Sequence, residues 1–327
     1  MPFSTLLFAL RAALRLLVLS GLCLSSMAWA QGQPLRLLVG FPPGGGTDAI
    51  ARILAERLKD PLGVPVLVEN RAGAGGQIAA QALKAAAPDG NTLFLTHDHT
   101  ISILPQVLKN PGFEPARDFV PVAGVATFVN AFAVSGGTPA RTLAAYAAWV
   151  KQQGGQGTVG VPAPASVPEF LVQLLGQKYG LDLQAAPYRG GAPMMADMLG
   201  NQIAAGIASV PDFMENHRAG KLRVVAVMGT ARQALLPDVP TFAELGLAGF
   251  EEPAYYGFYA PAGTPRAAIE RFGDALARAL AQPEVRERLS AMGLTVGFMS
   301  AQQLGAREQA YTRVWSRIIK SSGFVAQ

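Results

Sequence analysis

The chain has 327 residues, of which 50% are hydrophobic and 15% charged, a balance that excludes a disordered or collagen-like protein. That length suits two domains. The formal net charge is +5, yet the basic residues are scattered without a basic run, which argues against a nucleic-acid partner.

Residues 1–30 read as a secretory signal peptide. Arg11 and Arg15 precede an apolar stretch from Leu16 to Met27, and Ala28-Trp29-Ala30 gives an A-x-A cleavage pattern. Cleavage after Ala30 would start the mature chain at Gln31 and leave 25 basic against 22 acidic residues. The apolar stretch is short for a bilayer span, and no later segment approaches about 18 uninterrupted apolar residues. The sole cysteine, Cys23, lies in this leader, behind a Leu22 too bulky for lipoprotein processing. An exported, unanchored and disulfide-free protein is expected.

Downstream, apolar β-rich runs alternate with amphipathic helical patterns: Leu35–Gly40, Thr47–Lys59, Val66–Glu69, Gln77–Ala86 and Leu93–Thr96. This βαβαβ order implies a parallel sheet covered by helices. In the first helix Ile50, Ile53, Leu54 and Leu58 form one stripe. A second unit runs through Thr158–Val161, Pro168–Tyr179, Gln184–Tyr188, Pro193–Leu199, Ile203–Ser209 and Leu222–Met228. The runs Val120–Val125, Val129–Val134 and Tyr255–Ala260 are suited to carry the chain between lobes. Two crossings return the C-terminal helices to the first lobe, with stripes of Ile269, Phe272, Leu276 and Leu280, then Tyr311, Trp315 and Ile318. The expectation is an α/β protein of two doubly wound lobes around a cleft, 31–130 with 257–327 against 131–256.

Phe41-Pro42-Pro43-Gly44-Gly45-Gly46-Thr47-Asp48 stands between the first strand and the first helix. Glycines let backbone approach a ligand, and the helix N-terminus offers unpaired N–H groups with partial positive charge, a site for carboxylate or phosphate. Pro42 and Pro43 stiffen the approach, and Thr47 or Asp48 can cap the first turn. A tight turn with no ligand is the plain alternative. Gly44, Gly46 and Ala49 also match G-x-G-x-x-A, with Glu69 ending the next strand, as in a dinucleotide-binding oxidoreductase that would use NAD. The prolines and an exported location argue against that. No Gly-Lys-Ser/Thr follows, so a P-loop is excluded.

Val39 to Asp48, Val68-Glu69-Asn70-Arg71-Ala72-Gly73-Ala74-Gly75-Gly76 and Ala87-Pro88-Asp89-Gly90 resemble the tripartite tricarboxylate transporter substrate-binding receptors, also called Bug receptors. Pro187 to Pro193, Ala219 to Arg223, Leu236 to Thr241 and Ala260 to Pro265 continue the resemblance in family order. It spans essentially the whole mature chain. It implies a type II periplasmic-binding-protein fold, closing on a small carboxylate and delivering it to a membrane permease, with no cofactor. A monomer is expected.

The resemblance places the first ligand loop on Phe41, Pro43, Gly44, Gly45, Thr47 and Asp48. The second falls on Thr96, His97, Asp98, His99 and Thr100, where two histidines and an aspartate replace small polar residues. Asp98 would then face an amino or amide nitrogen of the ligand; alternatively it caps a helix over Thr100–Val107. His97-x-His99 offers two metal ligands and Asp98 a doubtful third, so no metal site is expected. The second-lobe loop falls on Gly160 to Ser166, where Pro162 and the alanines leave Ser166 as the surviving hydroxyl. Ser209 follows Ala208 where an Asp-Asn-like pair is common. These departures predict a less polar second-lobe wall. Tyr188 and Tyr256 are candidates for the cleft or for the core.

No Gly-x-Ser-x-Gly or mature cysteine is present, so common nucleophilic hydrolase patterns are missing. His97, Asp98 and Ser166 are the single combination from which a hydrolase triad could be assembled across the cleft.

Overall fold

The computed structural model describes residues 33–249, 251–321, 324 and 326. The leader, with Cys23 and the cleavage site after Ala30, lies outside the described residues. β1 (Leu35–Val39) is paired in parallel with β2 (Val66–Asn70) on one side and β3 (Thr92–His97) on the other. A parallel strand covered on both faces reads as a nearly continuous apolar run, which explains Leu35, Leu37, Leu38 and Val39. Between β1 and β2 lies α1 (Gly46–Leu62), whose Ile50, Ile53, Leu54 and Leu58 are buried and whose end is set by Gly63 in the left-handed region. α2 (Gln77–Lys84) joins β2 to β3.

After β3 the chain winds through a wide turn over His99–Ile103 into α3 (Leu104–Val107). Asp98 is itself helical in backbone and its carboxylate makes no cap, so the expected capped helix over Thr100–Val107 is replaced by this two-part turn. α4 (Pro115–Asp118) and β4 (Phe119–Phe128) follow, and β5 (Asn130–Ser135) begins two residues later in a different sheet.

The second unit comprises α5 (Leu143–Gln152), β6 (Gln156–Val161), α6 (Val167–Tyr179), β7 (Asp182–Pro187), α7 (Gly191–Leu199), β8 (Ala205–Ser209), α8 (Val210–Arg218) and β9 (Leu222–Val227). The chain then returns as β10 (Ala254–Pro261), followed by α9 (Arg266–Ala281), α10 (Pro283–Ala291), β11 (Thr295–Ser300) and α11 (Ala301–Ser321). Among the described residues no helix is long and apolar enough to cross a membrane.

The two sheets share one plan. The first has the order β11-β4-β10-β3-β1-β2 and the second β7-β6-β8-β5-β9. In each, the strand that has just crossed over, β10 or β5, lies antiparallel between two others. Sheet membership sets the crossings at Val129 and between Val227 and Ala254. Pairing of β10 with β4 starts at Ala254 and Phe128. The C-terminal helices pack on the first sheet: Phe272, Leu276 and Leu280 of α9 and Tyr311 and Trp315 of α11 are buried.

Candidate functional site

The glycine loop owes its shape to Asp48. Its Oδ2 accepts from the Gly44 N–H (3.0 Å) and from Arg52 Nε (2.9 Å), while Oδ1 accepts from Asn70 Nδ2 (2.9 Å). Asn70 also donates to the Phe41 carbonyl at 3.0 Å. Burial opposes the charge on Asp48, but these donors outweigh it and hold the carboxyl below its ordinary range. Gly44, at φ +83°, gives the loop its left-handed turn. Asp48 therefore braces the loop from behind and is absent from the cavity wall.

Between the two sheets lies an inner cavity of about 50 Å³. Of the expected residues, Phe41, Gly45, Thr47, His97, Asp98, Pro162, Ser166 and Ser209 line it, as does Tyr256. Pro43, Gly44, Asp48, Thr96, Thr100 and Tyr188 do not. Thr100 Oγ1 donates to the Gly75 carbonyl at 2.9 Å, tying one loop to another. Thr96 is buried within β3. Tyr188 donates to Asp197 at 2.6 Å, and burial together with that carboxylate pushes its hydroxyl up to about 12.

The wall also includes His99, Phe128, Asn130, Ala163, Gly191 and Asp212. Phe128 and Asn130 flank the first crossing, a position evident only once β4 and β5 are assigned to different sheets. Asp212 carried a local signal: Ser209-x-x-Asp212 opens α8 as a capping box would. Here Ser209 Oγ donates to Asp212 Oδ2, and Asp212 Oδ1 accepts from the Gly46 N–H across the cleft at 2.9 Å. Tyr256, beside a register shift in the β10–β4 pairing, brings its buried hydroxyl within reach of Thr47 and Ser209. Burial raises that hydroxyl's pKa above its ordinary value.

Asp98 is held by the core: Oδ2 accepts from the buried Tyr311 hydroxyl at 2.8 Å, and Oδ1 lies 3.4 Å from His97 Nδ1. Tyr311→Phe should lower stability by about 1–2 kcal/mol in urea titration, because it leaves a buried acceptor short of a donor. An equal midpoint would show that water replaces the bond. His99 is fully buried, and neither ring nitrogen has a polar partner. Desolvation, helped by His97 and partly opposed by Asp98, pushes its pKa down to about 3, so the ring is neutral.

On the second-lobe side Pro162, Ala163, Val167 and Pro168 form an apolar part of the wall, beside the polar Asn130, Ser166, Ser209 and Asp212. Ser166 donates to the Ala163 carbonyl at 2.7 Å, so it is not aligned with either histidine and the triad does not assemble. The dinucleotide alternative also fails, because Glu69 is engaged by Arg36 (2.7 Å) and Arg71 (2.6 Å) at β2. Among the described residues no cluster of three or more His, Cys, Asp or Glu side chains forms a metal site.

Outside the glycine loop a wider cavity of about 560 Å³ shares Gly45, Gly46, Gly191 and Asp212 with the inner one. The hydrogen bond between Gly46 and Asp212 thus stands between the two spaces.

Residues 50–324 match the family model described as Tripartite tricarboxylate transporter family receptor. Protein BugT of Bordetella pertussis is 32% identical over 296 residues, covering 89% of this chain and 90% of that protein. The structure of the periplasmic binding protein BugD superimposes with a TM-score of 0.85 at 31% identity, covering 90% of this chain and 99% of that one. MatC from Rhodopseudomonas palustris, with bound malate, gives a TM-score of 0.80 at 28% identity, covering 88% and 98%. An R. palustris protein with adipate gives 0.84 at 28% identity, covering 91% and 99%. With two α/β lobes around an inner cavity, this chain belongs to the tripartite tricarboxylate transporter receptor family and is a solute-binding receptor of the periplasmic-binding-protein fold.

Proposed function

We propose that this receptor captures a small carboxylate-bearing metabolite, an organic acid, an amino acid or an amide-bearing acid, in the inner cavity. The observation that supports this most is the convergence of helix N-termini: Gly46 of α1, Ser166 and Val167 at α6, Gly191 of α7 and Ser209 at α8 all line the cavity. Asp212 takes the Gly46 N–H, while the aligned dipoles of these helices and the remaining first-turn N–H groups favour an anion. The malate and adipate held by the two R. palustris relatives agree with that chemistry.

In this reading the lobes, 31–130 with 257–327 against 131–256, close on the ligand, which bridges them and stabilises the closed state. The mature chain, released after Ala30, works as a monomer in the periplasm. It hands its ligand to a membrane permease of the tripartite tricarboxylate type. It binds no nucleic acid and turns nothing over.

Mass spectrometry of small molecules retained by the natively purified mature protein tests the reading. A carboxylate recovered at about one per chain is expected, unchanged on prolonged incubation. A preparation that retains no carboxylate and shows no thermal shift with a panel of carboxylic and amino acids would refute it.

A further inference from the structure

The charged side chains of the inner cavity are one-sided, although Asn130, Thr47 and Tyr256 bring neutral donors. Two carboxylates, Asp98 and Asp212, line it, and no lysine or arginine does. Its serine hydroxyls donate inward to the protein, Ser209 to Asp212 and Ser166 to the Ala163 carbonyl, and Ser209 also lies within reach of the Tyr256 hydroxyl. An ionised carboxylate accepts about four hydrogen bonds, so Asp98 and Asp212 keep sites beyond those used by Tyr311, Gly46 and Ser209. His99 adds an unpartnered nitrogen acceptor, since a neutral imidazole has one.

Aromatic rings line the same space. His97 stacks on Phe41 at 4.8 Å and meets Phe128 and Tyr256 edge-on at 5.9 and 5.5 Å. Ring faces attract cations. Meanwhile Asp212 already occupies part of the anion-binding capacity. It holds the Gly46 N–H of α1 and sits so close to Gly191 that a Cβ there would lie 2.5 Å from its Oδ1.

We propose that the ligand carries a protonated nitrogen opposite its carboxylate, so that the receptor selects a zwitterionic amino carboxylate over a dicarboxylate or hydroxy acid. The ammonium lies toward Asp212, Asp98, His99 and the aromatic rings. The carboxylate takes the helix N-termini that Asp212 leaves open. A second carboxylate would face two fixed negative charges with no cation to offset them. The inference rests on the receptor reading above and narrows it.

Calorimetry on the mature protein decides it with matched pairs: 4-aminobutyrate against glutarate, β-alanine against succinate, and alanine against lactate. The amino member of at least one pair should bind about tenfold tighter or more than its partner. Asp212→Asn and Asp98→Asn, each checked for an unchanged far-ultraviolet spectrum, should both narrow that preference. If the dicarboxylate or hydroxy acid binds as tightly or more tightly, the inference fails and the receptor reading stands. If a retained molecule proves to be a carboxylate without a basic nitrogen, the outcome is the same. Absence of binding by every member and of any retained carboxylate would overturn both.

Discussion

Replacing Asp48 by alanine is expected to weaken ligand binding by about ten- to a hundredfold, although this side chain lies outside the cavity wall. The loss comes from the loop. Asp48 fixes Gly44, Arg52 and Asn70, and Asn70 in turn fixes the Phe41 carbonyl, so its removal frees the backbone that presents Gly45, Gly46 and Thr47. Stability should fall as well, by about 1 kcal/mol at pH 7, because the partly exposed donors of Gly44, Arg52 and Asn70 lose a buried acceptor. The charged form of Asp48 is favoured in the folded state, so this contribution is present above the ordinary carboxylate range. It is lost as pH falls through the lowered folded pKa. Urea titrations of both proteins at pH 7 and pH 3 should therefore converge toward low pH. A gap that stays constant, or an unchanged affinity, would show that the loop holds its shape without Asp48.

A second large effect concerns His99. Its folded pKa of about 3 lies below the ordinary 6.5, so folding favours the neutral ring. The unfolded chain takes up a proton that the folded chain refuses, and stability is lost as pH falls from about 6.5 toward 3. At pH 4.5 the loss amounts to about 2–3 kcal/mol. His99→Gln should be less stable than the parent at neutral pH yet flatter between pH 7 and 4.5. Equal slopes for the two proteins would mean that the buried ring is reached by water or paired when protonated. The groups facing it are His97, which opposes its charge, and Asp98, which favours it, so Asp98→Asn should leave His99's share of the slope between pH 7 and 4.5 unchanged and extend its loss to lower pH.

Much of this arrangement is written in local pattern. A central parallel strand must be apolar, and a glycine-rich turn before an amphipathic helix must present N–H groups, which is why β1, the loop and α1 can be read from residues 35–62. The second lobe repeats that logic, and its proline and alanine wall follows directly from Pro162 and Ala163. The resemblance places Asp48 in the ligand loop and its helix-start position suggests a cap, whereas its donors Gly44, Arg52 and Asn70 come together only in three dimensions. Asp98 reads locally as a ligand-facing group or a helix cap, whereas Tyr311, which donates to it, comes from α11 at the far end of the chain. Asn130 and Phe128 needed the crossing to be known. Asp212 was legible in principle through Ser209-x-x-Asp212, but nothing local announces that its second oxygen reaches the opposite lobe.

The single hydrogen bond from Gly46 to Asp212 has a kinetic consequence. It separates the inner cavity from the wider outer one, so a captured molecule leaving by that route must wait for those two atoms to part. For the receptor proposed above, residence time along that route would depend on how often Gly46 and Asp212 part. Ligands of equal affinity would differ in dwell time according to whether they reinforce the Asp212 carboxylate or draw it away from Gly46.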